Sequence, residues 1–207
     1  GSYHHFYVLD HSFLVCNACP AGMEHIHIRL AGLFHDIGKP AVRKEAADGS
    51  CTFYRHESVS EKMTRSIMRR LKYSNAEIEK TAHLVAEHMF HYDPSWTDAA
   101  VRRFIVRIGK ENIDDLFALR KADVFGLTGT YAEPNFLVEF TARIDTLLKE
   151  DGAYSLKDLA VNGKDLMAIG IPAGKCLGLV LHDLLETVLD DPAQNTKEAL
   201  LPIASAL

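Results

Sequence analysis

No stretch of this 207-residue chain is apolar for long enough to cross a bilayer, although hydrophobic residues make up 47% of it. A membrane-spanning helix is therefore not expected, and the chain is long enough to bury a sizeable core without covalent staples. Cysteine is scarce: four thiols are too few, at this length, for a disulfide framework, and Cys16-Asn-Ala-Cys19 has no second pair to complete a zinc site. Buried thiols in a reducing cytoplasm are expected. Positive charge is not in excess either, and the net charge of -5 argues against binding nucleic acid by bulk electrostatics, which leaves only local faces to be judged. Gly1-Ser2-Tyr3-His4-His5 lacks a basic region followed by an apolar one, so no targeting signal is expected and the location is cytoplasmic. There is no Gly-x-Ser-x-Gly elbow, and Gly38-Lys39-Pro40 lacks the flanking residues of a phosphate-cradling loop. Repeats and low-complexity tracts are absent as well.

Nearly every segment reads as helix. Asp10 is placed to cap a helix through Ala18, and a second runs from Gly22 to His35 with Ile26, Leu30, Leu33 and Phe34 on one stripe, ended by Gly38 and Pro40. Between Ala41 and Arg55 the helical period fails, and Asp48-Gly49 ahead of Thr52-Phe53-Tyr54 predicts a short hairpin. Helices resume over 57–71, and Ser74 with Glu77 forms a capping box that starts another running to Met89. Asp98 is expected to cap a helix with Val101, Phe104, Ile105 and Ile108 inward, closed by Gly109; further helices follow over 113–125 and from Pro134 to Leu148. Glu150-Asp151-Gly152 marks the expected boundary between a domain over 1–150 and a smaller helical region over 151–207. The fold class is all-α with one short β-hairpin.

Eleven histidines is a high count for this length, and imidazole is the commonest metal ligand. Their positions sharpen the signal. Asp123 follows Leu116, Leu119 and Arg120 at helical offsets, which places a carboxylate on or beside the core-facing stripe. His11 shares a face with Leu14, Val15 and Ala18, and His88 shares one with Thr81, Leu84 and Val85. His35 and Asp36 sit inside Leu33-Phe-His-Asp-Ile-Gly-Lys-Pro40, at a helix end. Burying isolated charges costs several kcal/mol, so inward carboxylates require a cation or an arginine. Arg29 for Asp36 and Arg120 for Asp123 are the ordinary partners. The set as a whole favours a metal, and with it a metal-dependent phosphohydrolase.

His11, His35-Asp36 and Asp123 resemble the His...His-Asp...Asp pattern of the HD superfamily of metal-dependent phosphohydrolases. Tyr3-His4-His5, Leu9-Asp-His-Ser12, Phe53-Tyr-Arg-His-Glu57, Leu71-Lys-Tyr-Ser-Asn75, Val101-Arg-Arg-Phe104 and Leu119-Arg-Lys-Ala-Asp123 look like the HD-bearing carboxy-terminal body of bacterial CCA-adding tRNA nucleotidyltransferases and poly(A) polymerases. Val161-Asn-Gly-Lys-Asp-Leu-Met167, Gly170-Ile-Pro-Ala-Gly174 and Leu185-Glu-Thr-Val-Leu-Asp-Asp-Pro192 resemble that family's final segment, so the likeness covers essentially the whole chain. It implies an HD-domain helical bundle over 1–150 and a nucleotidyltransferase-like tail over 151–207. One departure stands out. That family's transferase head holds magnesium with an Asp-x-Asp pair, and no two aspartates here are separated by a single residue. The sequence favours a fragment of a longer enzyme over a stand-alone relative.

The resemblance implies a hydrolase acting on phosphomonoesters or 2',3'-cyclic phosphodiesters of nucleotides or RNA ends. The His2Asp2 set suits manganese, nickel, cobalt, iron, zinc or magnesium, and His56 and His88 extend it toward a second ion with Asp36 between the two. In this reading the metal at Asp36 activates a water and Lys39 stabilises the phosphoryl charge. Arg102, Arg103 and Arg107, with Lys110 following, lie off the apolar stripe of their helix and are candidates to hold tRNA phosphates; a solvated basic face is the other meaning of that pattern. The second functional reading is a tRNA-binding body whose metal site is residual or structural. No membrane partner is expected, and a homo-oligomer is left open.

Overall fold

A computed structural model describes residues 8–131, 134–150 and 154–207. Helix dominates, with a single two-stranded hairpin among the described residues, so the all-α expectation holds. No helix of the described residues is long and apolar enough to cross a membrane. Two compact units form, one from Gly1–His91 and Glu111–Leu137, the other from Tyr92–Lys110 and Val138–Leu207. Asp151 and Gly152, which carried the expected boundary, lie outside the described residues, as does Tyr3-His4-His5.

In the first unit α1 (Val8–Ala18) packs on α2 (Ile26–Phe34), which is preceded by a 3-10 turn, Met23–His25, rather than beginning at Gly22. The buried side of α2 is Ile28, Ala31 and Gly32, leading to buried His35; Ile26, Leu30, Leu33 and Phe34 are half-buried. The expected stripe is thus displaced, because α2 touches neighbours on several sides and its small residues mark the closest approach. A Cβ at Gly32 would lie 3.0 Å from Cys19 Sγ. Pro40 does not end a helix but opens α3 (Lys39–Val42), where the missing N–H would be unpaired anyway. The hairpin pairs β1 (Lys44–Glu45) antiparallel to β2 (Cys51–Thr52).

Helix α4 (His56–Arg70) lies against α5 (Asn75–Glu87), whose start carries the expected capping box: Glu77 N–H donates to Ser74 Oγ at 3.3 Å and Ser74 N–H to Glu77 Oε2 at 2.8 Å. In the second unit Thr97, not Asp98, caps α6 (Asp98–Ile108), accepting from Ala100 N–H at 3.2 Å, while Asp98 receives the Arg143 guanidinium at 2.7 Å. Val101, Phe104, Ile105 and Ile108 are buried as expected. Helix α7 (Ile113–Thr128) belongs to the first unit, and α8 (Asn135–Lys149) continues into the second. The tail adds α9 (Gly163–Ala168), α10 (Lys175–Asp190) and α11 (Lys197–Ala206), closed over Leu166, Leu184, Val188 and Leu200. All four cysteines are free, but only Cys19 is buried; its thiol is pushed up to about 12 by burial, so it is inert at neutral pH. Cys16 and Cys51 are half-buried and Cys176 is exposed, which corrects the expectation of buried thiols.

One ionic clamp fastens three helices of the first unit. Asp115 on α7 accepts from His27 of α2 at 2.7 Å and pairs with Lys80 of α5 at 2.8 Å. Burial alone would raise the Asp115 carboxyl, but Lys80 and His27 hold it below the usual range. A lowered carboxyl contributes stability above its unfolded pKa, about 3.9, and loses it as pH falls through the folded value. Asp115→Asn should therefore cost about 1 kcal/mol at neutral pH. Urea unfolding should show that gap closing in acid, and a gap unchanged by acid would contradict the clamp.

Candidate metal centre

The sequence-predicted ligands converge in the first unit. His11 projects from α1, His35 caps the C-terminus of α2 with Asp36 next to it, His56 opens α4, His88 caps the C-terminus of α5, and Asp123 projects from α7. His11, His35, Asp36, His56 and His88 are all buried, Asp36 to 2% exposure. Their backbone positions decide which ring nitrogen faces inward. Nδ1 donates to Gly32 O at 2.8 Å in His35, to Phe53 O at 2.9 Å in His56, and to Val85 O at 2.7 Å in His88. With Nδ1–H committed to a carbonyl, Nε2 is the ring nitrogen that each of the three turns inward, and it can ligate a metal once it carries no proton.

The inward nitrogens face one another. His56 Nε2 and His88 Nε2 are 3.1 Å apart, and His35 Nε2 lies 3.2 Å from His11 Nε2. Two unprotonated ring nitrogens at that distance repel, so a proton or a metal ion must be shared between them. Asp36 joins the two clusters through different oxygens: Oδ2 lies 3.3 Å from His35 and 3.8 Å from His11, and Oδ1 lies 3.1 Å from His56 and 3.9 Å from His88. Despite that proximity Oδ1 meets no donor at hydrogen-bonding angles. Asp36 thus belongs to two triads, His11-His35-Asp36 and Asp36-His56-His88, each with its ligand atoms within 4.8 Å of one another. Asp123 Oδ1 adds a carboxylate 3.0 Å from His11 and 3.6 Å from His35. This donor set fits a divalent metal.

The electrostatics agree. Burial opposes charge on His35, but the Asp123 and Asp36 carboxylates outweigh it and push the imidazole up to about 9. Burial also works against both carboxylates, yet His35 and His56 hold Asp36, and His11 and His35 hold Asp123, far below the usual range. His88 goes the other way, pushed down to about 3 by burial and by its neighbour His35. The pocket therefore stabilises positive charge and keeps His88 a neutral donor.

Of the ordinary partners, Arg120 does reach Asp123 Oδ2 at 3.4 Å, whereas Arg29 points to Cys19 O and leaves Asp36 to Lys39, whose Nζ donates to Oδ2 at 2.6 Å. Arg102, in the second unit, is buried against Leu189 O and Glu150, and Arg103 is held by Glu186 and Asp190; Arg107 and Lys110 are exposed. Two features escaped the sequence. Gly126 on α7 makes room for His11, since a Cβ there would lie 3.0 Å from the imidazole Cε1 and Nδ1. Phe53, Tyr54, Arg55 and Met89 line an open pocket of about 520 Å³ beside His56 and Lys39. An aromatic pair and an arginine immediately before His56 were the signal for it.

A family model of tRNA nucleotidyltransferase domain 2 matches residues 51–204. The A-adding tRNA nucleotidyltransferase of Deinococcus radiodurans is 29% identical over 90% of this chain and 43% of its own length. The CC-adding tRNA nucleotidyltransferase of Thermus thermophilus is 30% identical over 84% of this chain and 38% of its own. The chain thus spans about two fifths of the length of these curated relatives. No solved structure matches it significantly. Both relatives are named as transferases, which overturns the hydrolase classification expected from the His/Asp pattern; the catalytic roles assigned with it to Asp36 and Lys39 are not carried forward.

Gly126→Ala should push α1 away from α7, since the new Cβ would also lie 2.6 Å from Val15 Cγ2. The expected cost is about 1–3 kcal/mol in thermal unfolding. An unchanged melting temperature would show that the close approach has no structural weight.

Proposed function

The chain belongs to the tRNA nucleotidyltransferase domain 2 family, and from that premise we propose that it is the tRNA-holding body of a nucleotidyltransferase, with a divalent metal at Asp36 as a structural tie. One observation carries the metal: a buried carboxylate shared by two pairs of inward histidines whose Nε2 atoms stand 3.1 and 3.2 Å apart. His11, His35, Asp36 and Asp123 would hold one ion, and Asp36, His56 and His88 a second. Mixed imidazole and carboxylate donors suit manganese, nickel, cobalt, iron, zinc or magnesium. The first ion would neutralise Asp36 and Asp123 and tie α1, α2 and α7 together, and the second would tie the end of α2 to α4 and α5.

A structural reading is favoured over a catalytic one by Lys39, whose ammonium already sits on Asp36 Oδ2 at 2.6 Å and over the Phe53 ring at 5.8 Å. That placement commits it to the centre. The transfer chemistry is not placed on this chain, which has no Asp-x-Asp pair. The relatives' names supply tRNA as the substrate class.

Protein stripped with chelator should melt earlier than protein resupplied with manganese, nickel or zinc. A free metal concentration a hundredfold above Kd adds about 2.7 kcal/mol. Asp36→Asn, which keeps the volume and removes the shared charge, should abolish the gain, while His88→Ala should retain part of it through His11, His35 and Asp123. Wild-type melting that no divalent ion changes would refute the metal tie.

A further inference from the structure

Among the described residues of the first unit, an exposed cationic face lies on α4. Its buried side is His56, Ser60, Thr64 and Met68, one residue per turn. At about 100° per residue the opposite side collects Ser58, Lys62, Ser66 and Arg69, with Arg55 at the N-cap and Arg70 at the flank. All six are exposed. Glu57 and Glu61 project elsewhere, and Arg65 is the residue that takes up Glu61 and Glu79. Among the described residues Arg55, Lys62, Arg69 and Arg70 make no close ion pair; Arg69 lies near enough to Glu79 to help lower its carboxyl, behind the direct contact from Arg65. This is the reverse of α6, where Arg103 is neutralised by Glu186 and Asp190.

Charge alone does not identify a partner, but the end of this track does. Tyr54, immediately before Arg55, is 81% exposed and lines the open pocket with Phe53 and Lys39. A bare aromatic ring beside a row of cations and hydroxyls matches what a single strand of RNA requires: flat faces for bases, positive charge for phosphates and hydroxyls for the sugar edge. A duplex would use the cations and leave the ring idle.

We infer that α4 is an RNA-binding track, with Lys62, Arg69 and Arg70 on the phosphates of a single-stranded segment and Tyr54 stacked on a base at its pocket end. Lys62 and Arg69 stand about 10 Å apart along the axis, so they engage separate phosphates. The inference rests on the tRNA-holding reading and adds the surface that does the holding.

The test is fluorescence anisotropy of the full chain with labelled tRNA and with a short unstructured RNA oligonucleotide, over a series of salt concentrations. The triple variant Lys62→Glu, Arg69→Glu, Arg70→Glu should melt like wild type, bind tRNA at least about tenfold more weakly, and lower the log-log salt slope by about 2–3. Lys157→Glu, Lys164→Glu, Lys175→Glu, matched in charge but in the tail, should bind like wild type. Tyr54→Ala should weaken the oligonucleotide by roughly tenfold and leave a fully paired duplex unaffected. If wild type binds and the α4 variant binds as the tail variant does, the track is wrong and the tRNA-holding reading survives. If wild type binds neither RNA at low salt, that reading fails and the track with it. Equal affinity for phosphatidylglycerol vesicles, lost in the same variant, would assign the face to a lipid surface and overturn the RNA assignment.

Discussion

The first unit is organised around a carboxylate that two sets of histidines share. Asp36 is 2% exposed, and an uncompensated charge at that depth costs several kcal/mol. Lys39 compensates one oxygen, at 2.6 Å; the other faces His56 and His88 and finds no hydrogen bond. The carbonyls of Gly32, Phe53 and Val85 hold Nδ1–H of three histidines and so direct their Nε2 atoms at the same place. His35 and His88 also lie at helix C-termini, whose partial negative charge favours a cation there. Glycines at 38 and 126 belong to the same arrangement. A Cβ at Gly38 would stand 2.6 Å from His56 O, and one at Gly126 would press on His11.

Much of this was legible in the sequence, and the residues show why. His11, His88 and Asp123 fall where helical spacing demands apolar side chains, and a ligand-type atom in such a position is visible without coordinates. The Ser74 capping box and the Asp48-Gly49 hairpin turn depend on a few neighbouring residues and were equally readable. The orientation of α2 was not. Ile26, Leu30, Leu33 and Phe34 form the more hydrophobic stripe, but Ile28, Ala31 and Gly32 are buried, with the closest approach at Gly32, where Cys19 and Val15 leave no room for a side chain. Asp98 looked like a cap, yet Thr97 took that place while Asp98 was engaged by Arg143, forty-five positions away. Long-range partners of this kind leave no local trace.

The cations teach the same lesson. Arg102, Arg103 and Arg107 lie off the apolar stripe of α6, and the tail supplies Glu186, Asp190 and the Leu189 carbonyl to two of them. On α4 the charges are as regular and stay open to solvent. A pattern shows which residues share a face, and only packing decides whether that face meets an acid. The His/Asp set carries a related distinction. Its ligand chemistry describes what can be bound, and the family to which the chain belongs decides against reading a hydrolase from it.

The most direct measurement of the shared-carboxylate centre is anomalous X-ray scattering at the manganese edge from crystals grown with excess manganese. The account predicts an anomalous peak within coordination distance of Asp36, on the His11 and His35 side, the His56 and His88 side, or both. A map with no peak at Asp36, at full manganese saturation elsewhere in the crystal, would contradict it.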